Sequence, residues 1–194
     1  MMNNEKYWWD YFNIKKPSYV SGFKPEYYST LISNSTGINI NVINSTRLDA
    51  PMWTDIYNNT DIFYNPNHTQ IHYTIYHEAG HLIGNSSIFK NGTHFDNFIK
   101  AEMMADMIAL NLSIRNNDED AITDLLNILI IDRVSCKYYD RKEHYYARNT
   151  LLANKQFINL CKCYCNFDEL LEYGKKWEII LDNNKTGPIK IINI

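Results

Sequence analysis

The pattern of apolar and polar positions divides the chain into short, alternating elements before any chemistry is considered. Tyr7, Trp8, Tyr11 and Phe12 recur at helical spacing and make one aromatic face. A second helix is expected from Pro25, suited to a first turn, toward Gly37, suited to a stop. Ile38-Asn39-Ile40-Asn41-Val42-Ile43 alternates apolar and polar as a half-buried strand does, and Asp61-Ile62-Phe63-Tyr64 is a second strand, closed by Asn65-Pro66-Asn67. Between them, 47–59 reads as a loop or a poorly formed strand around Pro51 and Trp53. A helix follows over 69–83, with Thr69 as N-cap and Gly84 as stop. Its buried stripe is Ile71, Ile75, Ala79 and Leu82. Another long helix covers 95–114. After the polar break at 116–120 the chain reads as mostly helical, with a final strand at 189–192. Strands early and helices late imply an α+β fold rather than a parallel βαβ array. The expected division is a core over 1–115 and a mostly helical extension over 116–194, packed together as one unit.

The long helices carry the chemistry. His77-Glu78-Ala79-Gly80-His81 is H-E-x-x-H. Positions four apart on an α-helix differ by about 40° in azimuth, so both imidazoles project from one side and can share a metal. On this reading they point away from the Ile75/Leu82 stripe, toward a cleft. Glu78 is placed to act as a base on water without becoming a ligand. Two histidines leave zinc under-coordinated, and Glu102, 21 residues beyond His81, supplies the third ligand. Asp106, one turn after Glu102, is expected to accept the free imidazole N–H of a ligand histidine, most naturally His77. Two matched motifs on consecutive helices are far more specific than either alone. The cofactor they call for is Zn2+, one per chain. His68 and His72 are also four apart but have no third ligand or base, and read as surface histidines.

Composition narrows the classes without naming a reaction. The formal net charge is -3, with no basic stripe of the kind that grips phosphates, so direct nucleic-acid binding is not expected. No apolar leader opens the chain, and the longest apolar block, 125–131, falls far short of the roughly 20 residues a bilayer requires. The expected setting is therefore cytoplasmic. Asn is abundant, Tyr numbers 15 and Gly only 7, a mixture that reflects codon usage more than mechanism. It also accounts for the recurring Asn-x-Ser/Thr sequons, among them Asn111. Cys161, Cys163 and Cys165 form C-x-C-x-C, with Cys136 upstream. That spacing is unlike the paired cysteines of structural zinc, and the four read as reduced thiols.

H-E-x-x-H followed by E-x-x-x-D resembles the gluzincin arrangement of thermolysin-like peptidases. The small size, the upstream strands and Glu102-Met103-Met104-Ala105-Asp106 are more similar to the ImmA/IrrE family of intracellular zinc metallopeptidases. The similarity spans roughly residues 38–112. The chain reads Leu110-Asn111-Leu112-Ser113-Ile114 where that family often has Leu-Met-Pro. The resemblance implies a zincin-like fold, with a small sheet beside the active-site helix. It also implies a protein substrate, typically a transcriptional repressor or similar regulator, cleaved at a peptide bond. A further donor for the oxyanion is usual in such sites. Tyr73, Tyr76, His94, Tyr138, Tyr139, His144, Tyr145 and Tyr146 are the candidates, with His144 and Tyr145 preferred because they lie outside the core motif. The alternative is a non-catalytic, zinc-stabilised module that sequesters a partner, as an anti-repressor does.

Overall fold

A computed structural model describes residues 24–45, 52–54, 60–65, 72–84, 94–125, 144, 147, 169, 177–180 and 190–193. The aromatic segment at 7–12, Thr69, His68, Tyr145 and the four cysteines lie outside these residues. Helix α1, Pro25–Thr36, starts on its proline and ends at Gly37. That glycine takes the left-handed conformation, φ 73°, and donates its N–H to the Ser33 carbonyl at 2.9 Å. Tyr28 and Ile32 form its buried side. The hydroxyl of Ser33 then accepts the Ile40 N–H at 3.0 Å, tying the end of α1 to the first strand.

Three short strands make a mixed sheet: β1, Asn41–Asn44; β2, Met52–Thr54; and β3, Asp61–Tyr64. β3 is central, parallel to β1 (Val42 opposite Ile62) and antiparallel to β2 (Trp53 opposite Phe63). Trp53 and Phe63 stack at 5.7 Å. The apolar alternation begins earlier than the strand does. Ile40 is buried just before β1, where it meets the end of α1 rather than a strand partner. The segment around Trp53 is thus a genuine edge strand.

Helix α2, His72–Gly84, and helix α3, His94–Arg115, lie against each other and form the centre of the molecule. From Glu102 to Ser113 every residue of α3 is buried, the mark of a helix enclosed by its neighbours rather than lying on a surface. Asn111, one of the sequon asparagines, is fully buried here and is closed to glycosylation in the folded chain. α2 is likewise buried well beyond the single stripe expected: Tyr73, Ile75, Tyr76, His77, Ala79, Gly80, Leu82 and Ile83 are all inside. The backbones touch at Gly80. A Cβ there would lie 2.5 Å from the Ala105 carbonyl oxygen and 2.7 Å from its Cα, so only glycine permits this approach. Gly84, expected to stop α2, also packs: its Cβ position is 3.2 Å from Met104 Cγ.

The polar break at 116–120 is a tight helix-to-helix turn. Asn117 adopts φ 51°, its N–H reaches the Ile114 carbonyl at 3.1 Å, and the Asp118 N–H reaches Ser113 at 2.9 Å. This is a Schellman closure with asparagine in the position usually held by glycine. Asp118 then caps the helical stretch 119–125 by accepting the Ala121 N–H at 2.9 Å. Near the C-terminus, β4, Trp177–Ile180, pairs antiparallel with β5, Lys190–Asn193. β5 matches the expected final strand. β4 lies in sequence read as mostly helical, where Trp177, Ile179 and Ile180 favour a pleated partner over a helix. The architecture is α+β.

Candidate metal centre

α2 and α3 present polar residues to each other around the Gly80–Ala105 contact, His77 and Glu102 three residues before it and His81 and Asp106 directly after it. His77 Nε2 and His81 Nε2 are 3.1 Å apart; Glu102 Oε2 is 3.1 Å from the first and Oε1 is 3.5 Å from the second. Ligands bonded tetrahedrally to a zinc-sized ion at about 2.0–2.1 Å sit about 3.3 Å from one another. The three side chains converge from two helices with one ligand atom from each all within 4.8 Å of one another, close enough to hold a metal ion.

Two further observations test that fit. Glu102 Oε2 is buried and, among the described residues, makes no aligned hydrogen bond. A buried carboxylate oxygen left so is costly unless a donor or a cation completes its environment. The electrostatics ask for the same charge. Burial drives the His77 imidazole toward its neutral form, but Asp106 and then Glu102 outweigh it and push its pKa up to about 10. Burial works against ionised Glu102 too, yet His81, His144 and His77 hold its carboxyl well below the usual range. A proton or a metal ion satisfies this anionic setting, and the donor set of two imidazoles and a carboxylate suits a metal of the zinc type.

Asp106 stands behind His77. Its Oδ1 is 2.8 Å from His77 Nδ1 and also accepts the Tyr73 hydroxyl. A carboxylate accepts, so the imidazole proton sits on Nδ1 and leaves Nε2 facing Glu102 and His81, as the orientation of a ligand histidine requires. Tyr73 was a candidate donor to substrate in the sequence; it is 1% exposed and turned to Asp106 instead. Tyr76 is equally buried and donates to Asp118 at 2.9 Å. Their burial removes both from contact with a substrate. The sequence signal that could have found Tyr73 as a support for Asp106 is its place four residues before His77, on the same helix face.

Comparison of the chain with protein-family models, curated proteins and solved structures finds no match.

Glu78 lies on α2 beside His77 and is partly exposed. His144, far along the chain and half-buried, comes to 2.8 Å from Glu102 Oε2 through Nδ1. α3 covers the polar side of α2, and His77 is only 5% exposed. His72 departs from expectation: it is buried, not on the surface. Its ring lies 5.4 Å from that of Tyr28, and its backbone N–H donates to Asp124 Oδ2 at 2.7 Å. Among the described residues no helix is long and apolar enough to cross a membrane.

Proposed function

We propose that this chain is a zincin-like, zinc-dependent endopeptidase that hydrolyses a peptide bond in an intracellular regulatory protein. The observation that carries the reading is the cluster of His77, His81 and Glu102, whose ligand atoms all lie within 4.8 Å of one another, with Glu78 next to His77 on the same helix. Three protein ligands, with no fourth among the described residues, match the composition of catalytic rather than structural zinc sites. Zinc held there supplies Lewis acidity, which lowers the pKa of water and polarises a carbonyl. Glu78 takes the proton of the attacking water and returns it to the departing amine nitrogen. Asp106, supported by Tyr73, keeps the His77 Nδ1 proton in place and so holds the ring in one tautomer and one orientation. The choice of a regulator such as a repressor as substrate rests on the resemblance to ImmA/IrrE peptidases.

The Glu78→Gln variant tests the reading against a partner-sequestering module. Under the peptidase reading, zinc content stays at the wild-type level while cleavage of proteins encoded beside its gene falls by at least two orders of magnitude. Undiminished cleavage removes Glu78 as the base. A biological effect that survives Glu78→Gln but not His77→Ala assigns the zinc to stability and partner binding.

A further inference from the structure

Glu102 Oε2 faces two imidazoles, one on each side: His77 Nε2 at 3.1 Å and His144 Nδ1 at 2.8 Å. The two rings differ in kind. His77 belongs to the set whose ligand atoms all lie within 4.8 Å of one another; His144 stands outside it. Ala147, three residues on, is fully buried. Both Glu102 Oε2 and His144 Nδ1 are buried, at hydrogen-bond distance but not aligned as a hydrogen bond, and neither has another such bond among the described residues. Two buried polar atoms 2.8 Å apart repel unless a proton lies between them. A carboxylate that binds a metal is ionised, so that proton belongs to Nδ1. A donor on this oxygen restrains rotation of the carboxylate about its last torsion, the freedom a glutamate ligand must lose when it binds.

We infer that His144 is a positioning residue whose Nδ1–H holds the Glu102 carboxylate and so sets the metal affinity of the site, tying the region after residue 116 to the centre built by α2 and α3. The inference rests on the metal site proposed above, and its readout is metal affinity rather than hydrolysis.

The test is the zinc dissociation constant of the full chain, measured by chelator competition for the wild type, His144→Phe and His144→Gln. Phenylalanine keeps the ring and removes the donor; glutamine keeps a side-chain N–H. The expected result is a 10- to 100-fold weaker affinity for His144→Phe, recovery to within about threefold for His144→Gln, and a changed visible spectrum of the Co2+-loaded Phe variant. Equal zinc affinity in wild type and both variants overturns the inference, and a loss of hydrolysis alone then makes His144 a donor to the substrate. A wild-type chain that binds no zinc overturns the metal site itself. Weakened zinc binding in a chain with no hydrolytic activity upholds the inference and removes the peptidase reading.

Discussion

α2 carries a histidine-and-carboxylate cluster at each end, and the two do opposite work. Toward its C-terminal end stand His77, His81 and Glu102; at its start stand His72, Asp118 and Asp120. Both sets bring three ligand-bearing atoms within 4.8 Å of one another. Their surroundings differ. Glu102 is 8% exposed and its Oε2 lacks an aligned hydrogen bond among the described residues, whereas the Asp120 side chain is 54% exposed. Asp118 is already engaged, with Oδ1 on the Ala121 N–H and Oδ2 on the Tyr76 hydroxyl. Burial, and after it the Asp118 carboxylate, push the phenols of Tyr28 and Tyr76 far above the usual tyrosine range, so both remain donors. Residue type alone therefore does not make a metal site. What distinguishes the first cluster is its burial and a carboxylate not already engaged by backbone or hydroxyl donors, as Asp118 is.

The sharpest way to break this contrast is metal content. Wild-type protein is expected to carry about one zinc per chain. His77→Ala should carry none, and Asp120→Asn should keep it, by elemental analysis of folded protein. A drop in zinc for Asp120→Asn would make the second cluster a site as well.

A smaller effect is expected from Asp118→Ala, which removes an N-cap and the acceptor of a buried phenol. Together these cost about 2–3 kcal/mol of stability, read from the denaturant midpoint, with zinc affinity unchanged within a few-fold. The metal-free chain adds a pH dependence. The metal-free His77 imidazole has its pKa raised to about 10 in the fold, above the ordinary histidine value of about 6.5. Its stabilisation is then fully present below about pH 6.5 and disappears as pH rises toward 10. Melting temperatures of the metal-free chain should decline across that window. In zinc-loaded protein, where the ring is already neutral with its one proton on Nδ1, the decline should be absent.

The helices and their facing residues are legible in the sequence because both depend on local period. H-E-x-x-H fixes two rings on one face, and E-x-x-x-D places Glu102 and Asp106 a turn apart. The spacing points Asp106 toward His77, and the two atoms lie 2.8 Å apart. Pro25 and Gly37 announce the ends of α1 because each fixes its own backbone. The rest depends on non-local contacts. His72 looked superficial because nothing near it in sequence says that Tyr28 and Asp124 close over it. The 116–120 run is polar as a linker is, yet its side chains and amides close a turn between two buried helices. β4 had no signal strong enough to outweigh its helical surroundings until β5 is placed beside it.

The backbone contact at Gly80 bears on which ions the centre admits. Since the main chains of α2 and α3 already touch there, the separation of the histidine pair from Glu102 is at its lower limit, set by one missing methyl group. Such a mouth suits a small ion with bonds near 2 Å; calcium, with six to eight oxygens at about 2.3–2.6 Å, needs a wider and more oxygen-rich cage. A side chain at position 80 would wedge the helices apart and enlarge the cluster. On the proposed metal-site reading, the glycine inside the motif would act on ion size as well as on packing.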